Sequence, residues 1–272
     1  VRNAILSKLH HCKFKEEEII SIKKLENGFE VKSTQASYYF DIVVVAIGGK
    51  SGYKMLSDLG HTIVEPKPAL VGLVTEPHYK ELQGISLQNI LVKSGKTQIE
   101  GDILFTDNGI TGPAVFELSS INARKELPYE IIIDFLNNEI DWQNLFDKNP
   151  HKELKNIVSE YLPKAFVNEI LKNVDLTQKG HEIKSNTKVL VNSTIRNFKT
   201  KVINTRKNGE TVTAGGVLLK EIDSKTLQSK IIGNLYVCGE VLDIDGFCGG
   251  YNLQNCWSTG YITAIAINSR LQ

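Results

Sequence analysis

The sequence has few cysteines, and none of them has the spacing of a metal-binding or redox motif. Cys12, Cys238, Cys248 and Cys256 form no C-x-x-C pair. This spacing argues against a disulfide framework and against a thiolate metal site. The histidines are scattered and form no H-x-x-x-H pair, so no second set of metal ligands is visible. We therefore expect no bound metal and a protein of the reducing cytoplasm.

Long apolar runs and an excess of charge are also missing. No stretch approaches the roughly 18 apolar residues that span a bilayer, and no signal peptide is visible. The net charge of +1 gives the molecule no overall attraction to nucleic acid or to acidic membranes. We therefore expect a small-molecule substrate, and neither a membrane nor a nucleic acid as a partner. The oligomeric state is left open.

The one basic stretch is residues 179–207, with eight Lys or Arg and a single acid, Glu182. A face for a polyanion is one interpretation of it. Without regular aromatic interleaving, the stretch favours a solvated face of a barrel.

Two short apolar runs end in glycine, and they lie near opposite ends of the chain. Residues 42–47 precede Gly48 and Gly49, and residues 235–237 precede Cys238 and Gly239. Continuous apolar runs of this length are typical of strands buried on both faces in a parallel sheet. They can be neighbours only if about residues 67–210 form an excursion. The pattern predicts an α/β domain interrupted by an insertion.

Local signals add elements around this frame. Residues 4–11 resemble the end of a helix, Asn27-Gly28 predicts a hairpin turn, and residues 53–59 predict a short helix that Gly60 caps. Pro66 and Pro68 mark a candidate domain boundary. We expect an α/β domain from residues 1–66 and 211–272, a barrel-like domain from 67–138 and 187–210, and a helical subdomain from 139–186.

The insertion shows two kinds of periodicity. Several strand-like runs, at residues 70–74, 85–92, 103–105 and 131–135, predict a small antiparallel sheet or barrel. Helical spacing follows, with one apolar face formed by Leu154, Ile157, Val158, Tyr161 and Leu162. Residues 188–204 return to alternation, with Val189, Val191, Thr194, Arg196 and Phe198, and predict a strand.

Four glycine-containing motifs are candidates for ligand binding, although each has an ordinary structural interpretation. Glycine after a strand allows close approach of a ligand or simply a tight turn, and Glu240 can accept hydroxyl hydrogen bonds or only cap its loop. Gly249-Gly250 opens a helix whose N-terminus favours negative charge, or is an ordinary entry. Gly215-Gly216 could press against a flat ring or end a strand.

Other candidates have weaker support. His61 could act as a base, but it follows a helix end, and packing or exposure is the more common role. Cys248 and Cys256 flank the glycine-rich loop, and a redox role is one interpretation of them. The lack of a C-x-x-C pair favours an ordinary packing role as uncharged thiols. Ser119-Ser120 lacks the G-x-S-x-G elbow of a hydrolase.

The order of the glycine motifs resembles a known family. The stretches VVVAIGGKS, LGHTIVEPKPALVGL, GDILFTDNGITGPAVFELSS and TVTAGGVLLKEIDSKTLQSKIIGNLYVCGEVLDIDGFCGGYNLQNCWSTGYITA resemble the HI0933-like, or aminoacetone-oxidase-like, family of NAD(P)/FAD-dependent oxidoreductases. The resemblance runs from about residue 18 to the end. It implies a split FAD-binding, Rossmann-like domain of the two-dinucleotide-binding type, with an inserted barrel-like domain that carries a helical subdomain.

The resemblance also implies where the cofactor binds. Gly48 and Gly49 match positions near the diphosphate and ribose, Glu240 matches the ribityl-binding position, and the residues from Gly249 to Leu253 match the loop under the pyrimidine edge of the flavin. Gly215 and Gly216 match the loop near the flavin ring. The full implied cofactor-binding set is Ala46, Gly48, Gly49, Gly215, Gly216, Gly239, Glu240, Asp243, Gly249, Gly250, Tyr251, Asn252 and Leu253.

Two departures from the family pattern leave two hypotheses open. The sequence has no G-x-G-x-x-G fingerprint, and Ser51 runs straight into Gly52 where the family has more residues, so we expect an N-terminal truncation. The first hypothesis is an FAD-dependent oxidoreductase with NAD(P)H as reductant, in which Thr106, Asp107 and Asn108 line the substrate side and no catalytic side chain is identified. The second is a non-catalytic protein that keeps the fold without FAD.

Overall fold

The computed structural model describes residues 7–9, 11–137, 139–206 and 212–271 and divides the chain into two compact units. The first unit contains residues 1–64, 216–243 and 256–272, and the second contains residues 65–215 and 244–255. Both units are discontinuous in sequence. The predicted helix end at residues 4–11 falls largely outside the described residues.

The first unit contains a three-stranded antiparallel sheet, β1 (Ile19–Lys24), β2 (Phe29–Ser33) and β3 (Ser37–Phe40). Gly28 has a φ of 87°, and its carbonyl accepts the Leu25 N–H at 3.0 Å. The predicted Asn27-Gly28 hairpin is therefore confirmed, because this turn needs a residue that tolerates positive φ.

A second sheet in this unit pairs strands from the two ends of the chain. β4 (Val43–Val45) and β13 (Leu235–Val237) run parallel, with Val45 opposite Val237. The predicted neighbourhood of the two apolar runs is confirmed. The predicted burial of the first run on both faces is wrong, because Val44 is 43% exposed while Val45 is buried. β13 is buried throughout.

Two helices follow the strand ends. α1 (Tyr53–Asp58) ends before Gly60, whose φ is 95° and whose N–H donates to the Ser57 carbonyl at 2.9 Å. The predicted helix and its glycine cap are confirmed. The longest described helix runs from Tyr251 to Leu271 and is called α7 below, in chain order. None of the described helices combines the length and apolar character required to cross a bilayer.

The second unit is built on a closed six-stranded barrel, which confirms the predicted barrel and the mixed α/β class. Its order is β10-β11-β6-β9-β8-β7, and β7 pairs back to β10. The strands are β6 (Leu73–Glu76), β7 (Ser86–Ser94), β8 (Thr97–Phe105), β9 (Gly109–Thr111), β10 (Tyr129–Asp134) and β11 (Phe198–Thr205). All described pairings are antiparallel.

Helices of the second unit pack against the barrel and share its apolar core. They are α2 (Pro113–Ile121), α3 (Trp142–Lys148), α4 (Leu154–Val158), α5 (Lys164–Ile170) and α6 (Ser185–Arg196). Phe135 lies among Phe105, Phe166 and Phe198 with ring centroids 4.7–6.4 Å apart. Aromatic side chains of this size bury a large apolar area. They therefore join the barrel and the helices into one core.

Two predictions for the insertion are wrong. Residues 185–196 form α6, not a strand, and the strand β11 starts only at Phe198. Val191 and Ile195 are the buried residues of α6, at the i, i+4 spacing of a helix face, whereas Val189 is exposed. Tyr161 is exposed because α4 ends at Val158, so Tyr161 does not continue the apolar face of that helix.

A further two-stranded sheet joins β5 (Ile63–Ala69) and β12 (Val212–Val217). The candidate boundary residues Pro66 and Pro68 lie inside β5. Proline has no N–H to donate, so it is tolerated in a short edge pairing of this kind.

Candidate functional site

The parallel pairing of β4 and β13 brings two of the predicted motifs together. Because parallel strands end at the same edge of a sheet, Gly48 and Gly49 follow β4 on the same side on which Gly239 and Glu240 follow β13. The Cys238 N–H donates to the Val45 carbonyl at 3.1 Å and extends the pairing to the turns. This edge of the first unit is the candidate site.

The turn after β4 leaves backbone open. Gly48 has a φ of 76°, and a Cβ built there would meet no heavy atom within 4 Å. Glycine is needed for the conformation, and the free space beside it admits the close approach of a ligand. The Gly49 carbonyl accepts a hydrogen bond from the Tyr53 hydroxyl at 3.0 Å, which ties the turn to α1. Ala46, also predicted, is exposed before this turn.

The turn after β13 presents carboxylates. Gly239, with a φ of 80°, begins a short 3₁₀ turn that carries the half-buried Glu240. The Asp243 N–H donates to the Val217 carbonyl at 3.0 Å, which holds the segment after this turn. Carboxylates accept hydrogen bonds from hydroxyl groups and repel phosphates. The edge therefore suits a hydroxyl-bearing ligand.

Tyr53 belongs to the same site, although the sequence analysis placed it only at the start of a helix. Burial raises the pKa of the Tyr53 phenol, and the negative charges of Glu240 and Asp243 raise it further. The phenol therefore stays neutral and can donate a hydrogen bond. No motif marks Tyr53, because its closeness to Glu240 depends on a pairing between strands almost 200 residues apart.

The glycine-rich loop before α7 is described in the second unit. Gly249 and Gly250 have φ values of 125° and 91°, and no heavy atom lies within 4 Å of a Cβ built at Gly250. The Asn252 side chain is committed to the loop, because its amide exchanges hydrogen bonds of 2.8 and 2.9 Å with Gly246. Tyr251 and Leu253 expose their side chains. What this segment offers a ligand is its backbone.

Gly215 and Gly216 are not in a loop. Both are buried within the strand β12. The loop that the resemblance implies at these positions is therefore not what the structure shows, and this part of the prediction is corrected. A methyl group at Gly216 would lie 2.8 Å from the Leu242 carbonyl carbon and would also collide with the Val241 carbonyl oxygen. The absence of a side chain at Gly216 is thus explained by packing within the first unit.

A second constellation in the first unit has the geometry of a hydrolase triad. Ser229 Oγ lies 3.0 Å from His61 Nε2, and His61 Nδ1 lies 3.0 Å from Glu221 Oε2. Ser229 Oγ also accepts the N–H groups of Ile231 and Ile232 at 3.1 and 2.9 Å. The serine proton must therefore point to His61. With His61 3% and Ser229 5% exposed, no substrate reaches this serine, so we assign the group to structure.

Burial also affects the carboxylate of this group. It raises the pKa of Glu221, but hydrogen bonds from Thr62 and from His61 outweigh it, so the pKa lies below the ordinary value of a glutamate. The Thr62 N–H donates to the same oxygen at 2.9 Å. The sequence analysis expected His61 to pack or to be exposed, and packing is what the structure shows.

Thr106, Asp107 and Asn108 form the turn between β8 and β9 in the second unit. Asp107 and Asn108 line a cavity of about 520 Å³ together with His78 and Arg206. Arg206 Nη2 lies 3.3 Å from Asp107 Oδ1. All four cysteines are free thiols, and the described residues contain no cluster of three or more potential metal ligands.

Comparison with known proteins gives a family and several relatives. The family model for the HI0933-like protein Rossmann domain matches residues 3–266. The chain is 28% identical over 269 residues to a ribosomal RNA dihydrouridine synthase of Escherichia coli K12, covering 91% of this chain and 66% of that protein. A protein of the same name from Haemophilus influenzae is 32% identical over 277 residues, covering 92% and 67%.

A third relative has a different name. It is a 3-dehydro-bile acid delta(4,6)-reductase of Clostridium scindens, 28% identical over 279 residues, covering 92% of this chain and 68% of that protein. The chain therefore spans about two thirds of the length of these relatives. The crystal structure of tetracycline destructase Tet(51) aligns with 93% of this chain and 54% of its own at 13% identity, and its TM-score of 0.27 is too low to bear on the fold.

Proposed function

Because the chain belongs to the HI0933-like family, which is a family of FAD-binding oxidoreductases, we propose that it takes part in FAD-dependent hydride transfer. The observation that carries the proposal is the parallel pair β4–β13, whose carboxyl ends place an open glycine turn beside the turn that carries Glu240. In open α/β sheets this edge is where nucleotide cofactors bind.

The residues at this edge fit the hydroxyl-bearing part of FAD. Gly48 leaves free space on its Cβ side, where a side chain would block a ligand. Glu240 and Asp243 supply carboxylate acceptors, and the neutral Tyr53 phenol lies beside them. Ribityl and ribose hydroxyls are donors that such carboxylates bind well. We propose that Glu240 holds the ribityl hydroxyls and that the Gly48-Gly49 backbone lies against the cofactor.

FAD, when bound, supplies the two-electron chemistry, and the protein supplies binding, orientation and charge. The role of Gly249–Leu253 at the pyrimidine edge of the flavin stays a prediction. It is supported by the open Gly250 directly ahead of the N-terminus of α7, because a helix N-terminus favours negative charge without a cationic side chain.

The names of the relatives support a reductive direction. Dihydrouridine and delta(4,6)-reductase both describe addition of hydrogen to a carbon–carbon double bond. We propose that this chain also serves a reduction, with NAD(P)H as the source of hydride. The substrate stays open between a base in RNA and a small molecule, because those relatives differ in this respect.

We propose that the FAD-binding domain is split between residues 1–66 and 211–272 and that the barrel and its helices are the insertion. The division of the chain into two discontinuous units supports it for residues 1–64, 216–243 and 256–272, whereas residues 244–255 group with the second unit. We also propose a cytoplasmic location for this protein.

A protein that keeps this fold without FAD is the second candidate. It is favoured by one observation, the lack of a G-x-G-x-x-G fingerprint in the sequence. The alternative predicts a colourless protein under all conditions.

One experiment separates the two candidates. The full-length protein is purified, and its visible spectrum is recorded before and after anaerobic addition of NADH or NADPH. A flavin band that bleaches with either nucleotide supports the oxidoreductase. A colourless protein that stays free of flavin after incubation with excess FAD contradicts it and supports the second candidate.

A further inference from the structure

Helix α7 buries two side chains among its described residues, and both are threonines. Thr259 and Thr263 lie one turn apart on the helix face that is buried. A hydroxyl in an apolar interior costs free energy unless it is hydrogen-bonded. Valine has nearly the same shape, so packing alone does not require threonine at either position.

The Thr259 hydroxyl joins the helix to the turn after β13. Its Oγ1 accepts the Gly239 N–H at 3.0 Å in a buried hydrogen bond. It lies 3.3 Å from the Cys256 carbonyl, to which it donates. Gly239 is the first residue of the 3₁₀ turn that carries Glu240, and its φ of 80° lies outside the region that most residues adopt. The hydrogen bond fixes the residue that sets the position of Glu240.

Thr263 offers a matched comparison. Its Oγ1 donates to the Thr259 carbonyl at 2.8 Å and also hydrogen-bonds the Cys238 thiol, while the described hydrogen bond of the Gly239 N–H goes to Thr259. Both threonines are buried on the same helix, so their conversion to valine removes the same hydroxyl from similar surroundings. Only one of the two changes releases the Gly239 N–H.

We infer that Thr259 is a positioning residue for the cofactor: it holds the Gly239–Glu240 turn in the conformation that binds FAD. The inference rests on the proposed function. Loss of the acceptor leaves a buried N–H unbonded, so the turn relaxes and the cofactor must pay for restoring it.

The test compares Thr259→Val, Thr259→Ser and Thr263→Val with the wild type in the full-length protein. FAD is removed and titrated back by flavin fluorescence, and amide exchange of residues 237–241 is measured without FAD. For Thr259→Val we expect about a five- to tenfold weaker FAD affinity, which corresponds to the loss of one buried hydrogen bond. We also expect faster amide exchange at Gly239. Thr259→Ser restores both to within about twofold, because serine keeps the acceptor.

Thr263→Val is expected to lower the melting temperature about as much as Thr259→Val, yet to keep FAD affinity within about twofold of the wild type. FAD affinity unchanged in Thr259→Val overturns the inference while the proposed function stands. Equal loss in both valine variants also overturns it, because general loosening of α7 would then explain the effect. A wild type that binds no FAD overturns the proposed function and the inference together.

Discussion

Ser229 shows how a catalytic geometry can be purely structural. Its Oγ accepts two backbone N–H groups and bonds His61 Nε2, and all of these groups are inside the first unit. A nucleophile needs access to a carbonyl carbon, and this oxygen is enclosed. The sequence separates Ser229 from His61 by 168 positions, so no local motif announces either the triad geometry or its burial.

Ser229→Ala should therefore weaken the fold without touching the cofactor. We expect the free energy of unfolding to fall by about 1–3 kcal/mol, because two partly buried N–H groups and the buried His61 lose their partner. Urea denaturation measures the change. The exposed Ser193, whose hydroxyl donates to the Leu190 carbonyl within its own helix, is the control, and Ser193→Ala should stay within about 0.5 kcal/mol of the wild type. Equal stability of the two variants would contradict the structural role.

Glu221 makes this group sensitive to acid. Because its folded pKa lies below the ordinary 4.5, the ionised carboxylate stabilises the fold above that pH, and the contribution is lost as the pH falls through the folded value. We expect Glu221→Gln to melt at a lower temperature than the wild type at pH 7. The gap should close as the pH is lowered from 5 toward 3. A gap that stays constant over this range would show that the carboxylate charge contributes nothing.

At the scale of elements, two glycines with positive φ have different reasons to be glycine. Gly216 faces the backbone at Val241 and Leu242, whereas Gly48 faces open space. We expect Gly216→Ala to destabilise the protein by about 3 kcal/mol or more, since backbone must move to admit the methyl group. Gly48→Ala should cost only the strain of its backbone conformation, about 1–2 kcal/mol.

For FAD affinity, the two variants should rank in the opposite order to their loss of stability. If FAD lies against the Gly48 turn, the folded fraction of Gly48→Ala should bind FAD at least about tenfold more weakly than the wild type, because its methyl group occupies the ligand's space. Folded Gly216→Ala should bind nearly as the wild type does. Calorimetric melting and flavin titration on the same samples separate the two effects, and normal FAD binding by Gly48→Ala would place the cofactor elsewhere.

Elements set by short-range chemistry could be predicted from the sequence. The Asn27-Gly28 turn and the Gly60 cap each need positive φ, and glycine reports that need directly. The parallel neighbours β4 and β13 followed from two apolar runs that end in glycine. The segment from residue 185 to 196 could not be settled in this way, because Val189 and Val191 fit a strand while Val191 and Ile195 fit a helix. Packing against the barrel decides for the helix.

Contacts between residues far apart in the chain could not be predicted from the sequence. Tyr53 reaches the site only because β4 and β13 are paired, and Thr259 reaches Gly239 across 20 residues from a helix that sequence reading placed correctly. The packing of Gly216 inside β12 depends on the backbone of Val241 and Leu242, 25 and 26 residues further along the chain. Glycine content alone does not distinguish a turn that receives a ligand from a strand packed tightly against backbone.

At the scale of the whole molecule, the binding groups are unevenly matched to FAD. The edge of the first unit offers carboxylates and the open Gly48 backbone, which suit the hydroxyls of the cofactor. The fingerprint that holds a cofactor diphosphate at a helix N-terminus is G-x-G-x-x-G, and the sequence does not contain it. The 272 residues on their own should therefore gain little from the adenosine diphosphate half of the cofactor, and we expect this chain to be purified with little or no FAD.

Comparison of flavins tests this imbalance directly. If the chain holds only the ribityl and ring portions, riboflavin and FAD should bind to the isolated 272 residues with dissociation constants within about tenfold of each other, a difference of no more than about 1.4 kcal/mol. Millimolar ADP should not displace either ligand. Glu240→Gln should weaken both flavins by a similar factor, because the hydroxyls it is proposed to bind are common to both. FAD retained at full occupancy, or ADP competing at micromolar concentration, would mean that these residues grip the diphosphate through groups that carry no recognisable fingerprint.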